Sequence, residues 1–158
     1  MITVIGIGPV ANKAIGSIKT SIRKDIIYRA VQQAECDIEC RITTIPDVVV
    51  YGDIIDGLYW MNDTLVKATR DSNPAIFVLA DLSSIRSIHL LKEAENFEFP
   101  HTVRSLMVIV TMPNPADYNA YVKRGDLSWD RLKKKLNRII LAPENKLAQC
   151  ALKHISKL

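Results

Sequence analysis

The residues nearest the start of the chain have the types and spacing of a phosphate-binding turn. Gly6, Gly8 and Ala11 form the pattern Gly-x-Gly-x-x-Ala directly after an apolar run. Gly6 allows a sharp turn, Gly8 lets a ligand approach the backbone, and the small Ala11 lets a helix pack closely on the strand. N–H groups at the start of that helix would then bind an anion. The pattern leaves two alternatives open, a nucleotide site and a purely structural turn.

The rest of the chain offers few groups for catalysis or metal binding. It contains no Gly-x-Ser-x-Gly motif, no His–Glu metal motif and no carboxylates paired at a useful spacing, so we predict no catalytic residues. Cys36 and Cys40 lack a second pair of ligands, and the three histidines are far apart in the sequence. We therefore predict no metal site, and reduced thiols rather than disulfides.

Composition argues against several classes of protein. The 158 residues are 48% hydrophobic and 24% charged, which is typical of a soluble globular domain. No apolar segment approaches the ~18 residues of a membrane span, and no signal peptide precedes the first strand. We therefore expect a cytoplasmic protein without a membrane span. The net charge of +4 lies largely in two runs, 131–138 and 146–157, without interleaved aromatic residues, which favours solvated helix faces over nucleic-acid binding.

Alternating strands and helices position these residues. Strands are predicted at 2–6, 75–80, 106–111 and 138–142, and helices at 10–23, 54–70, 84–96, 129–137 and 144–158. Residues 25–31 fit either a second strand or a continuing helix, and 37–45 alternates as a half-buried or edge strand does. This order predicts an α/β fold with a three-layer, doubly wound, mostly parallel sheet of Rossmann type, with 1–158 as a single domain.

Helix starts are predicted from capping residues. Asp53 precedes the helix at 54–70, and Ser128 precedes the basic helix at 129–137. Ser83 or Ser84 would cap the helix at 84–96.

Both ends of the chain resemble one family. The run Leu-Met-Val-Ile-Val-Thr-Met-Pro (106–113) is followed, after a polar loop and a basic helix, by Ile-Ile-Leu-Ala-Pro-Glu-Asn-Lys-Leu (139–147). This resembles the cell-division GTPase FtsZ of the tubulin superfamily, where a strand ending in Val-Thr-Arg-Pro is followed by a helix and a strand running into Pro-Asn-Asp-Lys-Leu. The start, Val-Ile-Gly-Ile-Gly-Pro-Val-Ala-Asn (4–12), resembles the family's Val-Ile-Gly-Val-Gly-Gly-Gly-Gly-Asn. The resemblance covers nearly the whole chain and implies the family's nucleotide domain.

The departures from the family imply a degenerate nucleotide site. The family's loop Gly-Gly-Gly-Thr-Gly-Thr-Gly should follow the strand at 75–80, where this chain has Asp-Leu-Ser-Ser-Ile-Arg-Ser (81–87) without a glycine. Phosphate loops need glycine because successive N–H groups must converge on an anion. Asp81 also places a negative charge where phosphates would lie. Pro9 removes one amide donor from the first loop.

The resemblance also implies which residues form this vestigial site. Asn12 keeps the family's identity, Asp117 matches an acidic ribose contact, and Glu144 stands in place of a guanine-side Asn. The implied site consists of Gly6, Gly8, Ala11, Asn12, Asp81, Ser83, Ser84, Asp117 and Glu144. An alternative treats the segment after Asp81 as an ordinary capped helix start with a solvated Arg86. In the functional version, Arg86 would replace the lost glycines as an anion donor.

The resemblance favours a protein that works through contacts with other proteins. The signature loop is missing, and we expect the protein to lack the family's central helix, acidic catalytic loop and second domain as well. We therefore expect lost or weakened GTP binding, no GTP hydrolysis, no cofactor and a role related to cell division or the cytoskeleton. An apolar stripe on the last helix either packs on its own sheet or forms a surface for a protein partner or homodimer: Leu147, Ala151, Leu152, Ile155 and Leu158.

The alternative function is a competent mononucleotide- or dinucleotide-binding domain that uses the turn at 6–11. GTP or GDP would then be the ligand implied by the resemblance. An NAD site would need an acidic residue about 20 residues past the fingerprint, at the end of the second strand. Gln32 occupies that position if the second strand is 26–31, which argues against NAD.

Overall fold

A six-stranded, all-parallel sheet forms the centre of the protein. The computed structural model describes residues 1–18, 25–33, 47–71, 73–112, 114–117, 119–120, 123 and 138–158. The strands are β1 (Ile2–Ile7), β2 (Ile26–Gln33), β3 (Asp47–Tyr51), β4 (Ala75–Asp81), β5 (Ser105–Thr111) and β6 (Arg138–Ala142), in the order β3-β2-β1-β4-β5-β6. This arrangement confirms the predicted Rossmann-like α/β fold.

Helices cover both faces of the sheet and complete three layers. They are α1 (Pro9–Ile18), α2 (Ile54–Ala68), α3 (Ile85–Asn96) and α4 (Leu147–Ile155), with short 3-10 turns at Pro115–Asp117 and Glu144–Lys146. Helices α2 and α3 pack on one face, and α1 and α4 pack on the other. The sheet therefore separates the two pairs of helices.

The central strands are buried along their whole length. Every residue of β1 and of β4 is buried, as expected for parallel strands covered on both faces. Alternate residues therefore enter two separate cores. Phe77 of β4 packs in the core beneath α1 and α4, and Val78 packs in the core beneath α2 and α3.

Polar caps set the starts of two helices as predicted. The Asp53 carboxylate accepts a hydrogen bond from the Asp56 N–H at 3.0 Å at the start of α2. Ser84, rather than Ser83, caps α3, since its hydroxyl accepts from the Ser87 N–H at 3.5 Å. Each side chain satisfies a donor that a helix leaves without a backbone partner.

The structure decides one open alternative and adds a strand. Residues 25–31 belong to a strand, β2, rather than to a continuing helix. Strand β3 follows Pro46 and has no counterpart in the sequence prediction. The predicted strand at 37–45, the end of the first helix beyond residue 18, and the basic helix at 129–137 with its cap Ser128 lie outside the described residues.

Two details of the predicted helices are wrong. The helical pattern at 54–70 predicts that Ile55 faces the core, but Ile55 is 75% exposed because it lies on the outer side of α2. The last helix begins at Leu147 rather than Glu144, since 144–146 forms a 3-10 turn. Among the helices described, none combines the length and the apolar character that crossing a bilayer requires.

Candidate functional site

The carboxyl ends of the strands bring most of the predicted site residues to one edge of the sheet. The strand order reverses between β1 and β4, so this edge contains a topological switch point, where ligands bind in open α/β sheets. Gly8 lies in the turn between β1, which contains Gly6, and α1, which contains Ala11 and Asn12. The turn after β4 contains Ser83 and Ser84, next to Asp81. Strands β1 and β4 are hydrogen-bonded neighbours. Seven of the nine predicted residues therefore lie on or beside adjacent turns.

Close packing requires glycine at Gly6 in β1 and at Gly8 in the turn that follows. A Cβ on Gly6 would overlap Asn12 Oδ1 and lie 2.5 Å from Ile15 Cδ1. Gly8 has a φ of +87°, and a Cβ there would lie 2.5 Å from Ser87 Oγ. Other residues rarely adopt this φ, and such approaches leave no room for a side chain.

Ser87 lies against Gly8 at the switch point. Ser87 is in the first turn of α3 and is 2% exposed. Its hydroxyl rests against the β1–α1 turn, so the two turns that would hold a phosphate pack on each other. Asn12 is fully buried beside them, and Asp81 is 6% exposed.

The loop after β4 is organised around the Asp81 carboxylate. The Ser83 N–H donates to Oδ1 at 2.9 Å, and the Ser83 hydroxyl lies 2.8 Å from both carboxylate oxygens. Ser84 caps α3, and Arg86 is exposed. This arrangement is the capped helix start that the sequence allowed as an alternative. The carboxylate is bound within its own loop, close to the positive end of the α3 dipole.

Several buried polar atoms lack a partner within the described part of the chain. They include both amide atoms of Asn12, the Thr111 hydroxyl and the Tyr28 hydroxyl. Burial also raises the pKa of Tyr28 above its ordinary value of 10.0. A buried polar group without a partner destabilises the folded state by about 1 to 3 kcal/mol. We therefore expect each of these side chains to lower the free energy of unfolding.

A cleft of about 640 Å³ opens beside the switch point, between α1 and the segment that follows β6. Its volume lies within the range of about 300 to 1,000 Å³ that small-molecule sites occupy. It is lined by Val10, Lys13, Ala14, Ser17, Met112, Pro143, Glu144, Asn145 and Ala148. The exposed Lys13, Glu144 and Asn145 give it a cation, a carboxylate and an amide. These groups can bind a polar ligand whose apolar part rests on Val10 and Met112.

The remaining predicted site residues lie apart from one another. Glu144 lines the cleft. Asp117 lies on an exposed 3-10 turn, where the Asn114 side-chain amide donates to its carboxylate at 2.9 Å, and it does not line the cleft. The predicted site omits Lys13 and Ser17. They follow Val10 by three and seven residues, so the helical period places all three residues on one side of α1. That spacing is visible in the sequence and could have identified Lys13 and Ser17.

The described side chains include no group of three or more His, Cys, Asp or Glu that could hold a metal ion. Comparison with known proteins gives no match: no family model fits the chain, and no curated protein matches its sequence.

Proposed function

We propose that this protein is a diverged FtsZ-like domain in which GTP binding is lost or weakened and GTP hydrolysis is absent. It acts through contacts with other proteins, in cell division or in the cytoskeleton. The family assignment is supported by the motifs at 4–12, 106–113 and 139–147. The loss of nucleotide binding is supported above all by the contact between Gly8 and Ser87.

Three features of the switch point disfavour a phosphate. Pro9 has no N–H at the first position of α1, so this turn offers one donor fewer. The Ser87 hydroxyl occupies the space against Gly8 that a phosphate oxygen would need. The buried Asp81 carboxylate would repel the phosphate charges, and such repulsion is strongest where solvent is excluded.

Calorimetry and thermal unfolding with GTP, GDP, ATP and NAD test this proposal. At a nucleotide concentration equal to the dissociation constant of a weak, millimolar site, we expect stabilisation of at most about 0.4 kcal/mol. A micromolar dissociation constant for any of the four would overturn the proposal. The second measurement is phosphate release from GTP with magnesium, where we expect no rate above that of buffer alone.

A second candidate function is binding of a nucleotide or another small polar molecule, and the cleft beside α1 favours it. Its volume and its mixture of Lys13, Glu144 and Asn145 with apolar side chains suit such a ligand. If a nucleotide binds there, Lys13→Glu should weaken binding by about tenfold or more, since a charge-assisted contact becomes a repulsive one. The matched control Lys123→Glu makes the same charge change at an exposed position outside the cleft lining and should leave binding unchanged.

A further inference from the structure

The N-terminal half of α2 presents a large apolar surface to solvent. Ile55 is 75% exposed, Tyr59 65% and Trp60 36%, and the two aromatic rings pack edge to face with centroids 5.2 Å apart. Asp53 and Asp56 are exposed on the same part of the helix, and no Lys, Arg or His occurs in 52–62. We call these five residues the acidic surface of α2. Exposed aromatic residues with a polar border are typical of protein interfaces.

The C-terminal helix presents a surface of opposite charge. Leu152 is 37% exposed and Leu158 43%, whereas Leu147, Ala151 and Ile155 of the same predicted stripe are buried against the sheet. The exposed cations are Lys146, Lys153 and Lys157, and no Asp or Glu occurs in 146–158. We give the name basic surface of α4 to Lys146, Leu152, Lys153, Lys157 and Leu158.

We propose that the acidic surface of α2 binds the basic surface of α4 of a second copy of this chain. The two surfaces match in charge, and both contain exposed apolar side chains. They belong to helices on opposite faces of the sheet, so they cannot pair within one molecule. This inference rests on the proposed function, which requires protein contacts, and it identifies the partner.

A groove beside the acidic surface offers a place for an apolar side chain of the second copy. It has a volume of about 360 Å³, lies between α2 and α3, and is lined by Ile54, Leu58, His89, Lys92, Glu93 and Asn96. Ile54 and Leu58 supply its apolar part, which suits Leu152. Lys92 and Glu93 balance each other in charge, so the groove adds no net repulsion toward the basic surface.

The pairing of two different surfaces makes the association heterologous. A pair of copies keeps one free acidic surface and one free basic surface, so further copies add head to tail into a ring or an open chain. Opposite charges at the contact make the association salt-dependent, because exposed charges are screened within about 8 Å at physiological ionic strength.

Sedimentation equilibrium of the full chain tests the contact. At low salt we expect the average mass to rise with protein concentration, and at high salt we expect association to weaken by about tenfold or more, since screening removes the charge attraction. Asp56→Lys and Lys153→Glu should each abolish the rise in mass. Glu98→Lys and Arg104→Glu reverse charges at exposed positions outside both surfaces and should leave the rise in mass unchanged. Circular dichroism confirms that each variant is folded.

Mixing the two surface variants gives the decisive result. Asp56→Lys spoils the acidic surface of one chain and leaves its basic surface intact, whereas Lys153→Glu does the reverse in the other chain. Each variant alone lacks a complementary pair, but the mixture contains one, so we expect complexes that hold both chains. A native chain that stays monomeric at all concentrations overturns the inference, as does a mixture that stays monomeric. Association that both single variants retain overturns it too.

The nucleotide titration keeps the two proposals distinguishable. Tight GTP binding by a chain that self-associates would overturn the proposed function and leave the interface in place. A monomeric chain that binds no nucleotide would overturn the interface alone, since its protein partner would then be a different chain.

Discussion

The carboxyl edge of the sheet contains two neighbouring regions with opposite packing. At the switch point, Gly8 lies against Ser87, and both residues are buried. Beside it, between α1 and the segment after β6, a cleft of about 640 Å³ remains open. The same helix, α1, borders both regions. The described cleft therefore lies beside the switch point, on the α1 side.

This difference separates the two parts of a nucleotide site. A phosphate needs backbone N–H groups in an open turn, whereas a base or another flat group needs a cleft with a few polar atoms. The proposed loss of GTP binding concerns the phosphate turn. The second candidate function, binding of a small polar molecule, depends on the cleft. Substitutions in the two regions therefore test this difference.

The largest effect is expected from Gly8→Ala. The positive φ and the approach to Ser87 Oγ should together lower the free energy of unfolding by about 2 to 4 kcal/mol. Urea unfolding of Gly8→Ala, Ser87→Ala and the double variant measures how the two sites couple. Coupling of about 1 kcal/mol or more is expected for residues in contact. Additive effects would show that the turns do not touch and that the switch point is open.

Asp81→Ala should lower the free energy of unfolding by about 2 kcal/mol, because the Ser83 N–H and hydroxyl lose a charged acceptor. Asp81→Asn keeps one acceptor oxygen and should therefore lower the free energy of unfolding by a smaller amount than Asp81→Ala. The same variants report on ligand binding. If repulsion by the carboxylate alone prevents GTP binding, calorimetry will detect binding in Asp81→Asn, and the switch point is not closed by packing.

Asn12→Leu should raise the free energy of unfolding by about 1 kcal/mol. The buried amide of Asn12 has no hydrogen-bond partner in the described structure, and an apolar side chain of similar size removes that penalty. Thermal and urea unfolding check the sign. Destabilisation by Asn12→Leu would contradict this prediction and would mean that the amide is paired or that the methyl groups of Leu do not fit against Gly6.

Tyr28→Phe should raise the free energy of unfolding at neutral pH by up to about 1 kcal/mol, because the Tyr28 hydroxyl is buried without a partner in the described residues. Since burial raises the pKa of Tyr28, the folded chain keeps the phenol proton at a pH where the unfolded chain loses it. The stability due to the neutral phenol is thus complete below pH 10.0 and is lost as pH rises through the folded pKa. Comparing urea unfolding of both proteins from neutral pH into the alkaline range should show a shallower decline for Tyr28→Phe.

The smallest effect is expected from Ala14→Leu in the cleft. Ala14 lines open space, so the larger side chain should change the free energy of unfolding by less than about 0.5 kcal/mol. Loss of more than about 1 kcal/mol would contradict an open cleft. If the cleft binds a ligand, this variant should also reduce that binding by filling the space.

The fold could be predicted where a local pattern reflects burial on both faces. Strands β4 and β5 are continuous apolar runs, and parallel strands covered by helices require such runs. Strand β3 is not predicted, because only five residues separate Pro46 from Gly52 and so short a segment shows no clear period of apolar residues. The strand predicted at 37–45 lies outside the described residues and stays a prediction.

The candidate site could be predicted only in part. Gly6 and Gly8 stand in one short motif, so their turn is visible in the sequence. The contact of Gly8 with Ser87 joins residues far apart in the chain, and no local pattern encodes it. Likewise, Lys13 and Glu144 meet at one cleft only because β1 and β6 end at the same edge.

Strand β1 lies in the interior of the sheet, between two strands that both follow it in the chain. Its partners are β2 on one side and β4 on the other, and β4 is synthesised much later. The nascent chain therefore carries an apolar strand with one edge unpaired until β4 emerges. Closure of such distant pairs makes folding slow relative to helical proteins of similar size. An unpaired apolar strand edge is prone to pair with another chain, so β1 is open to aggregation until β4 pairs with it.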